Sequence, residues 1–151
     1  MEDNINYQDL FRDIKAIIFD LDGTLYRYTP NAEKYFDTAV AQVLYEHGGC
    51  ETLEEGIALA NKSYQETGSC ITYVAERLGM YNTQFMPLCD QKLELHGFCQ
   101  TPKNAAREKA LLQALSEKVR PTVLTHASTN MANRVLDHLG IKEIFESVRS
   151  I

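Results

Sequence analysis

The sequence has no apolar run near the roughly 20 residues needed to span a bilayer, so nothing in it reads as a membrane-crossing helix. It has only 8 Gly and 4 Pro, no internal repeat and no Ser/Gly linker, which excludes collagen-like and low-complexity chains. It lacks a basic excess: 15 Lys and Arg stand against 21 Asp and Glu, a formal net charge of −6. A surface of that sign repels a nucleic-acid scaffold or an anionic membrane. The start, Met1-Glu2-Asp3-Asn4, is acidic and polar, unlike a secretory or transit signal. Cys50, Cys70, Cys89 and Cys99 form no C-x-x-C pair, and the four histidines show no H-x-x-x-H spacing. Neither a zinc site nor a redox pair is supported. Reduced thiols in a cytoplasmic protein are the expectation.

What is present is a chain of 151 residues, 44% of them apolar, enough for a real core in one domain or one domain with an insertion. Ala16-Ile17-Ile18-Phe19 is a short continuous apolar run ended by Asp20-Leu21-Asp22-Gly23-Thr24, which reads as a parallel strand buried on both faces. Helical signals then dominate. Thr29-Pro30 reads as a cap followed by Pro at the first helical position, and Gly48-Gly49 as its stop. Thr52-Leu53-Glu54-Glu55 reads as a capping box for a helix to Thr67. A third helix carries Ile71, Val74, Ala75 and Leu78, and a fourth runs from Thr83 to about Leu95 with Gly97 as its stop.

Thr101-Pro102 repeats the cap-then-Pro start for a helix to Leu115. Pro121 to Thr125 reads as a second buried strand. Ser128 caps a helix that stops at Gly140, and Ser147 to Ile151 begins a third strand. The expected architecture is an α/β core made of 1–29 and 99–151, with 30–98 inserted as an all-helical cap. The core then has 82 residues, room for about three strands at roughly 30 residues per βαβ unit.

In an open α/β sheet, ligands sit at the carboxyl ends of the strands. Asp20 and Asp22 lie just past the first strand, and Thr125 ends the second, 105 residues after Asp20. Asp20 is placed to attack an electrophile, as carboxylate nucleophiles that form aspartyl-phosphates do. Asp22, two positions on, can give a proton to a leaving alkoxide and take one from water. Gly23 permits the sharp turn, and Thr24 can fix it or orient Asp22. Two such close carboxylates repel, and Mg²⁺ with oxygen ligands removes the conflict. Thr125, with the backbone N–H groups that follow it, can hold phosphoryl oxygens. The competing reading is a strand-ending turn, with Thr125 as a strand-end hydroxyl. Tyr26 and Tyr28 either line the crevice entrance or pack.

Phe19-Asp20-Leu21-Asp22-Gly23-Thr24-Leu25-Tyr26 resembles motif I of the haloacid dehalogenase superfamily, and Val123-Leu124-Thr125 resembles its motif II. The run Arg134 to Ile141, with Ile144-Phe145 after it, resembles the segment following motif II. The resemblance implies a Rossmann-like parallel sheet and a phosphohydrolase. In it Asp20 is the nucleophile and an Mg²⁺ ligand. Asp22 is the acid/base and supplies its backbone carbonyl to the metal. Gly23, Thr24, Thr125 and His126 are the candidate phosphate- and substrate-binding residues. The substrate implied is a small phosphorylated metabolite, and the Leu25-Tyr26 ending is similar to the pyrimidine 5′-nucleotidase branch. An acid at Asp22 argues against dehalogenation.

Two departures follow from the same resemblance. His126 stands where the superfamily often has Asn, as a tolerated exchange or as a substrate contact that shifts pH dependence. The motif III lysine and the motif IV acidic pair have no counterpart. Lys142 precedes the last strand, Asp137, Glu143 and Glu146 end no strand, and Lys103 reads as solvated. An incomplete core of about three strands is therefore expected, from a longer protein or, alternatively, from an inactive module that works by binding. Its first strand would be an open sheet edge, a route to self-association.

Overall fold

The computed structural model describes residues 13–151. Strand β1 (Ala16–Phe19) is followed by the short strand β2 (Arg27–Tyr28) and by helices α1 (Ala32–Glu46), α2 (Leu53–Thr67), α3 (Thr72–Arg77), α4 (Asn82–Lys92) and α5 (Leu95–Phe98). Then come strand β3 (Cys99–Gln100), helix α6 (Ala105–Ser116), strand β4 (Arg120–Thr125), helix α7 (Thr129–Leu139), a 3-10 turn (Lys142–Ile144) and strand β5 (Ser147–Ser150). The fold is mixed α/β and Rossmann-like.

The main sheet has the order β1-β4-β5, and both pairings are parallel. Phe19 lies opposite Val123, and Thr125 opposite Ser150, so the segment after Phe19 emerges beside the carboxyl end of β4. α7 makes the crossover from β4 to β5. Its start is fixed by the Ser128 hydroxyl, which accepts from the Met131 N–H, and its end by Gly140 at φ 67°. Met131, Ala132, Val135 and Leu136 line one buried face of α7 at helical spacing. They share a cluster with Leu21, Tyr26 and Val123.

A second apolar cluster, built on Val40, Val43, Leu44, Val74 and Phe85, lies within the helical run. β2 and β3 pair antiparallel where the chain enters and leaves that run, Tyr28 opposite Cys99. The four cysteines are free thiols. Burial raises the pKa of each, that of Cys70 to about 11 and that of Cys99 to about 12. Among the described residues no helix is long and apolar enough to cross a membrane.

Several sequence expectations need correction. β1 is not buried on both faces: every second residue is exposed, Ile18 at 65%, and among the described residues the strand stands at the edge of the sheet. Thr29 does not cap a helix. Its hydroxyl donates to the Gly97 carbonyl, and α1 starts two residues past Pro30, after Asn31. Thr101-Pro102 likewise precedes α6, whose cap is Asn104. Gly97 lies inside α5 rather than ending α4. The capping box at α2 forms in half: Thr52 caps the helix and accepts from the Glu55 N–H as expected, while the Glu55 carboxylate accepts from the Glu51 N–H instead of that of Thr52. The β2–β3 pair has no counterpart in the sequence expectations.

Candidate active site

After Phe19 the chain turns sharply. The Leu21 side chain is fully buried, and its carbonyl accepts from the Thr24 and Leu25 N–H groups at 3.3 and 3.0 Å. Gly23 sits at φ 79° with open space where a Cβ would project. Its requirement is therefore the left-handed backbone, which side-chain-bearing residues adopt at a cost. Thr24 donates to Asp20 Oδ2 at 2.8 Å, so its hydroxyl fixes the exposed Asp20 and not Asp22.

Asp22 collects three hydroxyl groups. Thr125 Oγ1 donates to Oδ2 at 2.8 Å, and Tyr26 Oη donates to Oδ1 at 2.5 Å. Tyr28 Oη reaches the same Oδ1 at 3.4 Å. Thr125 is 1% exposed, and its oxygen also accepts from the Ala127 N–H at 3.0 Å. The structure therefore joins Thr125 to Asp22 across 103 positions, with its hydroxyl proton given to that carboxylate. It does not present this hydroxyl free for a phosphoryl oxygen, as the sequence reading expected. His126 follows on the exposed surface.

The tyrosines are the residues whose part sequence reasoning missed. Tyr26 is 1% exposed. Burial, then the hydrogen bond to Asp22 and its negative charge, hold this phenol far above its ordinary pKa. Tyr26 stays a protonated donor. Tyr28 is raised mainly by burial and then by the Asp22 charge. The signal was available as two tyrosines, four and six residues beyond Asp22, on a chain that leaves the turn extended.

A second polar group joins α4 to the start of α7. Ser128 donates to Asp90 Oδ2, and Arg134 Nη2 donates to the Leu93 carbonyl at 2.9 Å. Asp90 is 2% exposed, and its pKa is raised, chiefly by burial, with Ser128 and Arg134 opposing the shift. No motif marked this group.

Asp20 and Asp22 are oxygen donors, the type a hard cation takes. Among the described residues no cluster of three His, Cys, Asp or Glu groups could hold a metal. Mg²⁺ commonly uses one or two carboxylates and completes its shell with water and substrate phosphate, so the pair fits part of such a site. With both Asp22 carboxylate oxygens engaged by hydroxyls, Asp20 is the freer side chain. A neighbouring cavity of about 640 Å³ is lined by Thr24, Tyr26, Arg27, Gln100 and Lys103, and not by Asp20 or Asp22.

A family model described as haloacid dehalogenase-like hydrolase matches residues 14–151. No curated protein matches the sequence. Among solved structures, a candidate phosphatase from Clostridium difficile is 18% identical, with a TM-score of 0.52, over 91% of this chain and 60% of that one. A haloacid dehalogenase-like family hydrolase from Streptococcus pneumoniae is 21% identical, with a TM-score of 0.47, over 91% of this chain and 61% of that one. L-2-haloacid dehalogenase from Xanthobacter autotrophicus is 18% identical, with a TM-score of 0.43, over 91% of this chain and 57% of that one. The chain thus spans about three fifths of the length of these structures.

Proposed function

The chain belongs to the haloacid dehalogenase-like hydrolases, and from that premise we propose that it serves an Mg²⁺-dependent phosphomonoesterase. The substrate is a small phosphorylated metabolite, with nucleotides the first class to test, and the setting is cytoplasmic. One observation carries the reading. The Asp22 carboxylate, two residues beyond Asp20, is held on both oxygens by buried hydroxyls, from Thr125 at 2.8 Å and Tyr26 at 2.5 Å. A strand-ending turn has no use for such a restraint, whereas a proton-transfer group needs a fixed direction.

In this reading Asp22 enters the step protonated, the Asp20 carboxylate attacks phosphorus, and the bond to the leaving oxygen breaks as Asp22 gives that oxygen its proton. Water then attacks the aspartyl-phosphate as Asp22 takes up its proton, the bond from phosphorus to the Asp20 oxygen breaks, inorganic phosphate leaves and Asp20 is regenerated. Thr24 keeps Asp20 aimed. Gly23 and the exposed His126 face the phosphoryl oxygens, with backbone N–H groups at the α7 start other than those of Ala127 and Met131 as donors. The Asp20 carboxylate and the Asp22 backbone carbonyl would hold Mg²⁺, which offsets negative charge on the phosphoryl group. The helical run 30–98 acts as a cap that chooses the substrate.

Hydrolysis of an aryl phosphate with Mg²⁺ tests the reading. Asp20→Asn should lower turnover by about 10⁴-fold or more, and Asp22→Asn by roughly 10²- to 10⁴-fold. Wild-type turnover in Asp20→Asn sinks the assignment. A second reading, phosphate binding without hydrolysis, is favoured by the finding that no third acidic or imidazole group joins the pair among the described residues. Binding of inorganic phosphate in a protein that turns over no aryl phosphate would select it.

A further inference from the structure

A carboxylate that moves a proton must present one lone pair to the substrate while the others are restrained. Each carboxylate oxygen offers about two acceptor positions. On Asp22, Oδ2 spends one on Thr125, and Oδ1 spends one on Tyr26 at 2.5 Å. The second position on Oδ1 is met only at 3.4 Å, by Tyr28, which is at the weak end of hydrogen-bond geometry. The two tyrosines also differ in exposure: Tyr26 is 1% exposed and Tyr28 48%. Their rings meet edge to face at 5.4 Å, and Tyr28 stands 5.1 Å from Phe98 in the same manner. Tyr28 pairs with Cys99 in the β2–β3 ladder, so these hydroxyls reach Asp22 from the junction of the helical run.

We propose that Tyr26 is a positioning residue that fixes the Asp22 carboxylate plane, and that the Tyr28 hydroxyl, at the weak end of hydrogen-bond range on the same oxygen, competes with the leaving-group oxygen for Oδ1. The inference rests on the phosphomonoesterase reading for its role in turnover, and on geometry alone for the restraint. Burial keeps the Tyr26 hydrogen bond out of competition with water. Tyr28, at long range and half exposed, gives way at little cost. The bland alternative is that both rings pack against Phe98 and their hydroxyls are incidental.

Tyr26→Phe and Tyr28→Phe keep the rings and remove one hydroxyl each. Tyr26→Phe should lower kcat by about 10- to 100-fold with KM changed little, because the group acts on proton transfer and not on binding. Tyr28→Phe should instead lower KM by about two- to fivefold, having removed a competitor for Oδ1. A wild-type kcat in Tyr26→Phe overturns the proposal, and so does an equal kcat loss in both variants. A second readout needs no turnover. The buried Tyr26 phenolic proton should appear in the proton NMR spectrum as a downfield, slowly exchanging resonance. It should vanish in Tyr26→Phe and move in Asp22→Asn. Its absence from the wild-type protein, or its indifference to Asp22→Asn, overturns the restraint. An inactive protein that shows this resonance would sink the proposed reaction and uphold the restraint, so the two failures are distinguishable.

Discussion

At the scale of single residues, the site and its supports obey different kinds of rule. Gly97 shows a packing rule. A Cβ built there falls 2.0 Å from Cζ of the Tyr35 ring, so α5 can lie against α1 only because this position has no side chain. Gly97→Ala should cost about 1–3 kcal/mol, read as a lower urea midpoint at unchanged slope. An unchanged midpoint would mean that Tyr35 moves aside freely. Gly97 also has a visible role through its carbonyl, which accepts from Thr29. Neither property is legible in sequence, where a glycine after a helical pattern reads as a stop. Asp20 and Asp22 were legible for the opposite reason. An apolar strand followed at once by two acids flanking one apolar residue leaves Leu21 to turn inward, with Asp20 exposed and Asp22 half-buried at the strand end. Tyr26 and Tyr28 were not, because a tyrosine satisfies packing and hydrogen bonding alike, and sequence does not show which.

At the scale of elements, legibility followed the strength of local signals. α7 was legible from end to end, since Ser128, its apolar stripe and Gly140 all act within the helix itself. β2 and β3 were not. Each is two residues long, and the pairing joins Tyr28 to Cys99 across the whole helical run, so no local pattern announces it. The α4–α7 link was equally silent, although it has the clearest pH consequence. Asp90 is raised above its ordinary value mainly by burial, so the folded state binds its proton more tightly than the unfolded state does. Its contribution to stability is fully present below the unfolded carboxylate value of about 3.9 and is lost as pH rises through the higher folded value. Asp37, raised by burial and by Glu33, contributes with the same sign. Asp90→Asn should flatten the decline in unfolding free energy on that side of the profile. Urea melts between acid and neutral pH check it, and an identical slope in the variant would refute it. Ser128→Ala removes both the α7 cap and the donor to Asp90. It should cost about 1–3 kcal/mol, more at neutral than at acid pH.

At the scale of the whole molecule, the three-stranded parallel sheet has unusual exposure. Parallel sheets are ordinarily covered on both faces, and the apolar run Ile17-Ile18-Phe19 led to the expectation of burial. That expectation needs a covering element over each face, whereas every second residue of β1 is exposed, Ile18 at 65%, and β1 also pairs with β4 alone among the described residues. The run holds no charge or proline to blunt an unpaired edge. We propose that in the 151-residue chain by itself the side of β1 away from β4 pairs with a second copy. The apolarity of β1, which carries no charge and no proline, argues for strand pairing, and the net charge of −6 argues for an association strengthened by salt, which screens the repulsion between copies. Sedimentation across a concentration series should show reversible dimers, more abundant at high ionic strength. Ile18→Lys places a charge in the centre of the edge and should shift the population to monomer, while Leu111→Lys, at an exposed position on α6, should not. A wild-type protein that is monomeric at every concentration, or equal effects of the two lysines, would show that the edge attracts no second copy.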